Sequence, residues 1–259
     1  MFRRETTRSA PPHGLVTRAD RRNPVKCAAM RKAALVLISL VSVALAAPAW
    51  ARSPVLVELY TSQGCSSCVK SGAVLAQLPD KPPILVLTFG VDIWDYLGWR
   101  DTFAQPEFSA RQRGYMTRLN LTEVYTPQVV IDGRYETAAV PDGKIEPLVK
   151  LAARAHRPGP QVQFRNGHVA VGSDPSPEGR CVVWLVRYEP HDQSVTVKDG
   201  ENHGKTLVEP HVVRQLVRLG AWSGRPRSFD LPESPQAGLD PVVLVQAIDG
   251  GPIVAVGQP

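Results

Sequence analysis

The chain has 259 residues, a formal net charge of +6, 43% hydrophobic residues and four cysteines. Nine Lys or Arg against two Asp or Glu fall in residues 1–51, so the remainder carries 21 basic and 22 acidic residues and a net charge of −1. The basic balance therefore belongs to the N-terminal leader, and a nucleic-acid partner is excluded.

Arg31 and Lys32 precede the apolar run "AALVLISLVSVAL", residues 33–45, and then "AAPAWA". A basic start, a short apolar core and a small-x-small end describe a secretory signal peptide, with cleavage expected after Ala51. Met30 begins a leader of ordinary shape, and Cys27 lies before the apolar core, the wrong place for a lipid-anchor cysteine. The apolar run is short for a membrane span of ~20 residues. The membrane is thus met only through the signal peptide, and the mature chain is expected to be periplasmic or secreted. Three cysteines remain in it, Cys65, Cys68 and Cys181. An oxidising compartment permits disulfide chemistry, but three thiols are too few to build a scaffold.

"SPVLVELY" reads as a buried strand, and residues 65–78 as a helix ended by Pro79, Pro82 and Pro83. "ILVLTF", residues 84–89, is a second apolar strand. A polar, aromatic stretch, "GVDIWDYLGWRD", follows. The next helix opens with Pro106 at its first position and carries Phe108, Tyr115, Met116 and Leu119 on one side. "QVVI", Asp132-Gly133 and "YETAA" predict a hairpin. A third helix carries Ile145, Leu148, Val149 and Ala152, and "RPGP", residues 157–160, reads as a linker. Strands alternating with helices predict an α/β layer over residues 52–157. From residue 160 to 259 short β-type runs take over, among them "RCVVWLVRY" and "VVLVQAI". They predict an all-β, sandwich-like domain. Residues 212–219 fit a helix or a strand equally.

Cys65 and Cys68 stand where the first strand passes into the first helix. A Cys-x-x-Cys pair there has a specific use. Cys65 near the N-cap meets free backbone N–H groups of Ser67 and Cys68, which stabilise its thiolate with the help of the helix dipole. Such thiolates have pKa values lowered to about 3.5–7.5. Cys65 would attack a partner, and Cys68 would resolve the mixed disulfide. Two other readings stay open: half of a soft-metal site, since two thiolates suffice for Cu(I), and a non-catalytic staple. Zinc is disfavoured, because no second Cys pair or His pair stands at ligand spacing. His203 and His211 read as surface or loop histidines, Lys70 as a solvated helix residue, and Cys181 as a buried thiol.

The order of elements, the Cys-x-x-Cys at the first helix and Thr126-Pro127 before the third strand resemble the thioredoxin superfamily. The resemblance implies a central mixed sheet flanked by helices and a cis proline beside the disulfide. It assigns substrate binding to Thr126 and Pro127. Glu58 falls near the superfamily's buried acid, and the resemblance gives it proton relay to the second cysteine. A Glu in an otherwise apolar strand needs a partner or a raised pKa, and a salt-bridged or edge-exposed Glu is the alternative to proton relay. Trp94, Tyr96 and Trp99 form a candidate rim for a peptide partner, while Asp92 and Asp95 are expected to cap turns. More narrowly, "VELYTSQGCSSC", "VDIWDYLGWRD", "VYTPQVVIDG" and "ENHGKTLVEPHVVRQLVRLGAWSG" resemble a family of secreted bacterial thioredoxin-like proteins of unknown function. Gly64 and Ser66-Ser67 depart from thioredoxin itself, which has an aromatic residue before the pair and Gly-Pro within it. The expected function is thiol–disulfide exchange with a protein thiol or disulfide, without organic cofactor or resident metal. The alternative is a copper(I)-handling or non-catalytic partner-binding module.

Overall fold

A computed structural model describes residues 53–78, 83–141, 144–155, 157–174 and 179–259. The expected signal peptide, with its core at 33–45, and the expected cleavage point lie outside the described residues. Residues from 52 onward make one compact unit. It is mixed α/β and mostly strands, with several sheets and few helices.

The first sheet has the order β2-β1-β3-β4. Its strands are β1 (Val55–Thr61), β2 (Ile84–Gly90), β3 (Gln128–Ile131) and β4 (Tyr135–Ala138). β1 runs parallel to β2 and antiparallel to β3, so Glu58 pairs with Leu87 on one side and Val130 on the other. All seven β1 residues are buried, as a central strand covered on both faces requires. The β3–β4 turn has positive φ at Asp132 and Gly133, the geometry that the Asp-Gly pair favours.

Successive side chains of β1 point to opposite faces. Val55, Val57 and Leu59 join Leu75 of α1 (Ser71–Leu75) with Ile145 and Val149 of α3 (Ile145–Ala155). Leu56 and Tyr60 face the other way, toward Phe108 and Tyr115 of α2 (Pro106–Arg118). Val186, Val213, Val242 and Leu244 complete that same cluster. They come from β7 (Cys181–Tyr188), β10 (Val213–Trp222) and β12 (Asp240–Ala247). The β-rich half thus shares a core with the α/β half.

β10-β7-β12-β13 form the second sheet, with β13 at Ile253–Gly257. β11-β6-β5 form a third, from Arg227–Asp230, His168–Val171 and Val162–Arg165. Val169, Cys181, Val183, Leu185, Phe229 and Val243 fill a core drawn from both sheets. A short ribbon, β8 (Gln193–Thr196) with β9 (Thr206–Glu209), stands apart from them.

One expectation needs correction. The helix over 65–78 is split into a 3-10 segment, Ser66–Lys70, and the short α1. Ser66, Ser67, Ser71 and Gly72 are poor helix formers. Of residues 212–219, open between helix and strand in the sequence, 213–219 lie in strand β10, paired along β7. The "RPGP" stretch runs between α3 and β5 and packs closely there: a Cβ on Gly159 would overlap the Val254 carbonyl.

Candidate active site

β1 delivers the chain into Ser62-Gln63-Gly64 and then Cys65, whose backbone is extended (φ −93, ψ 118). Cys65 and Cys68 are joined as a disulfide, with Cα atoms 5.3 Å apart. The Cys68 N–H donates to Cys65 O at 3.1 Å, and Ser71 Oγ donates to Cys68 O at 2.7 Å. Both sulfur residues are buried, Cys65 at 6% exposure and Cys68 at 2%. Ser66 and Ser67 between them are exposed.

Cys65 Sγ lies 3.2 Å from Ser67 Oγ and 3.7 Å from the Thr126 carbonyl, to which Ser67 Oγ also donates at 3.3 Å. The Thr126–Pro127 peptide is cis. In this disulfide form the polar groups beside Cys65 Sγ are the Ser67 hydroxyl and the Thr126 carbonyl.

The aromatic stretch splits by role. Trp94 Nε1 donates to Thr126 Oγ1 at 2.7 Å, and Trp99 Nε1 to Gln63 Oε1 at 3.0 Å. These two indoles brace the two loops that meet at the disulfide. Tyr96 is 75% exposed and offers its ring to solvent. Asp92 accepts from Ser109 Oγ, and Asp95 accepts from the Asp101 N–H at 3.0 Å, so both tie turns. No group of three His, Cys, Asp or Glu suited to a metal ion occurs among the described residues.

Glu58 is placed elsewhere. Its carboxylate accepts from Arg111 Nε at 2.7 Å, Tyr60 OH at 3.3 Å and Tyr115 OH at 2.5 Å. Arg111 continues to Gln246 of β12 and to Tyr115 OH. Burial pushes the Tyr60 and Tyr115 hydroxyls well above the ordinary phenol range. Burial works against the Arg111 charge, but Glu58 outweighs it and the guanidinium is held more firmly protonated. This is a buried ion pair between the first sheet, α2 and the second sheet. None of these bonds goes to a cysteine.

Other carboxyls attend the cysteine loop. Asp101, 4% exposed, accepts from the N–H groups of Gln63 at 2.7 Å, Phe103 at 2.8 Å and Ala104 at 3.1 Å. Burial pushes its pKa up to about 6 despite those three donors. Glu209, at the end of β9, is 6% exposed. Burial, then the charge of Asp101, raises it to about 8, and the Gln63 side-chain amide pulls back. Asn202 donates from Nδ2 to both Gln63 O and Cys65 O at 2.9 Å.

Gln63, Asp101, Asn202 and Glu209 were missed in the sequence. Asn202 and Glu209 lie in "ENHGKTLVEPHVVRQLVRLGAWSG", which marks a family likeness but not a contact 137 residues away from Cys65. His203 is exposed and the His211 ring packs on Tyr188, centroids 5.5 Å apart. Cys181 sits at the start of β7 in the core between the second and third sheets.

The family described as "Protein of unknown function (DUF1223)" matches over residues 56–246. Among solved structures, a crystal structure of an Agrobacterium tumefaciens protein matches with a TM-score of 0.65 and 29% identity, covering 80% of this chain and 93% of that one. No curated protein matches the chain significantly.

Proposed function

We propose, for a chain that belongs to the DUF1223 family of proteins of unknown function, that it is an exported thioredoxin-like thiol–disulfide exchange protein. The observation that carries this reading is the meeting of Cys65 Sγ with the Thr126 carbonyl, where Thr126-Pro127 leads into β3. The β2-β1-β3-β4 order and the placement of the pair between β1 and α1 support it. The second and third sheets, packed as two layers, make the sandwich-like half, which buttresses the first sheet rather than standing alone.

In the exchange the Cys65 thiolate attacks one sulfur of a partner disulfide, and the partner's other sulfur leaves with the electron pair. The Cys68 thiolate then attacks Cys65 Sγ, the mixed disulfide breaks, and the partner departs as a dithiol. The same steps reversed oxidise this chain's donor. Ser67 Oγ, 3.2 Å from Cys65 Sγ, is placed to donate to the thiolate. An extended partner segment would pair with the backbone at Thr126, with Tyr96 as its exposed aromatic contact. The basic leader and the apolar core at 33–45 support export.

Alkylation of the reduced protein tests the reading. Cys65 should react first, at a pH well below ~8.5, the value of a free thiol. Equal, slow reaction of both thiols, together with stoichiometric Cu(I) retained against a competing chelator, would replace it with the copper-handling reading. N-terminal sequencing of the exported protein should begin at Arg52.

A further inference from the structure

The helix α2 crosses the second sheet from β10 to β12. Just before it, Gln105 Nε2 donates to the Arg214 carbonyl of β10 at 2.8 Å. Further along, Arg111 Nη1 donates to Gln246 Oε1 of β12 at 2.9 Å. Past that point the helix backbone at Gly114 meets the turn after β12, where a Cβ on Gly250 would come within 2.8 Å of it. Between these contacts helix and sheet part around a cleft of about 790 Å³, within the ~300–1,000 Å³ of small-molecule sites. Ala110 and Gly114 line its helix side, and Trp184, Leu216 and Ile248 line its sheet side. Among the described residues it shares none with the cysteine loop. The opening follows from the sequence of α2. Glycine is a poor helix former, yet Gly114 stands inside the helix, and a Cβ there would meet nothing within 4 Å. No close approach at its own Cβ demands glycine, and its bareness keeps the helix face open. Ala110, one turn before, does the same with a single methyl group.

The floor of the cleft is polar. Arg111, Tyr115 and Gln246 line it, and all three are buried. A guanidinium carries five N–H donors. Arg111 spends three, on Glu58, Gln246 and Tyr115, and the other two have no acceptor among the described residues. Leaving buried donors unpaired is costly, so the floor calls for an acceptor oxygen from whatever the cleft takes up. The guanidinium is held in place to offer them: the rings of Phe89, Tyr115 and Trp184 stand 6.0, 5.3 and 5.7 Å from its carbon. Its charge is already matched by Glu58 at 2.7 Å. Around the opening, exposed Arg180 and Arg218 are balanced by exposed Glu107 and Asp249. With no net charge to neutralise, the cleft favours a neutral guest over an anion, whose burial would go uncompensated.

We propose that this cleft is a second site, which binds a neutral, mainly apolar molecule bearing a carbonyl oxygen. The oxygen accepts from the Arg111 N–H groups that the protein leaves unbonded. The apolar body lies between the bare helix face at Ala110 and Gly114 and the side chains of Trp184, Leu216 and Ile248. Ketones, esters and amides share this chemistry, whereas carboxylates and plain hydrocarbons do not. Binding is a reversible association with no covalent step, and it is independent of the thiol-exchange reading above.

Acetophenone, ethylbenzene and benzoate, three molecules of similar size, test it. Each is titrated into the exported protein, and NMR follows the amide signals of Gly114 and Gly250 and the indole signal of Trp184. Acetophenone should shift these signals saturably and bind about tenfold more tightly than ethylbenzene, the low end for a hydrogen bond to a charged donor. Benzoate should bind more weakly than acetophenone. Gly114→Leu reaches into open space and favours the helix. It should abolish the acetophenone shifts at Gly250 and Trp184 while Tm holds or rises. Absence of saturable shifts with acetophenone, equal binding of ethylbenzene, tighter binding of benzoate, or unaltered binding in Gly114→Leu would each overturn the proposal. The comparison of the three molecules needs no variant, so it decides even where Gly114→Leu fails to fold.

Discussion

Arg111 supplies the cation for a carboxylate that has no solvent exposure, and removing it should cost the fold heavily. Arg111→Met keeps an apolar stem of similar length but deletes three donated bonds, to Glu58, Gln246 and Tyr115. Glu58, at 0% exposure, then stays buried without its cation. Breaking a buried pair in this way costs about 3–5 kcal/mol. The Tyr60 and Tyr115 hydroxyls still donate to Glu58, which places the value near the low end, about 3 kcal/mol. For a chain of this size that is a fall in Tm of roughly 10 °C. Urea unfolding of Arg111→Met, Glu58→Gln and the double variant measures it. The double variant should be less destabilised than the sum of the singles by about 1–3 kcal/mol, because the two groups act as a unit. An Arg111→Met loss below about 1 kcal/mol, or strictly additive singles, would refute the picture of a buried pair locking α2 between two sheets.

Asn202→Ala should loosen the cysteine loop: it removes two donors from buried carbonyls and should cost about 1–3 kcal/mol in urea unfolding. Faster alkylation of reduced Cys65 in that variant would accompany it, and an unchanged rate would mean the loop holds its shape without Asn202. The raised pKa values of Asp101, about 6, and Glu209, about 8, mean that the folded state binds protons more tightly than the unfolded chain. Their contribution to stability is complete below about pH 4 and is lost as pH rises through those folded values. Wild-type stability should therefore decline between about pH 4 and pH 8, and Glu209→Gln should show a shallower decline over the same window by urea unfolding at each pH.

Much of the first sheet was legible because burial on both faces forces continuous apolar runs: β1 and β2 could be little else. The Asp132-Gly133 turn and the Pro106 helix start were equally plain, since each rests on a local backbone requirement. The split of the first helix was harder, because serines at 66, 67 and 71 weaken a helix without naming what replaces it. β10 carried no clear period: it borrows its order from β7. At the site, the pair and Thr126-Pro127 stood out as motifs. Glu58 drew attention as a charged residue in an apolar strand, and alternation along β1 sends it toward α2 and Gln246. Asn202 and Glu209 were invisible as site residues, because a polar residue in a loop looks the same whether it faces water or a cysteine loop far away in sequence.

The central claim is that Cys65 exchanges with a partner's sulfur and Cys68 resolves the product. Cys68→Ser and Cys65→Ser, each exported by cells and quenched with acid before non-reducing electrophoresis, test it directly. Cys68→Ser should accumulate mixed disulfides with other proteins, released by reductant, and Cys65→Ser should show none. Absence of reductant-sensitive complexes in Cys68→Ser, or equal amounts in both variants, would contradict the account.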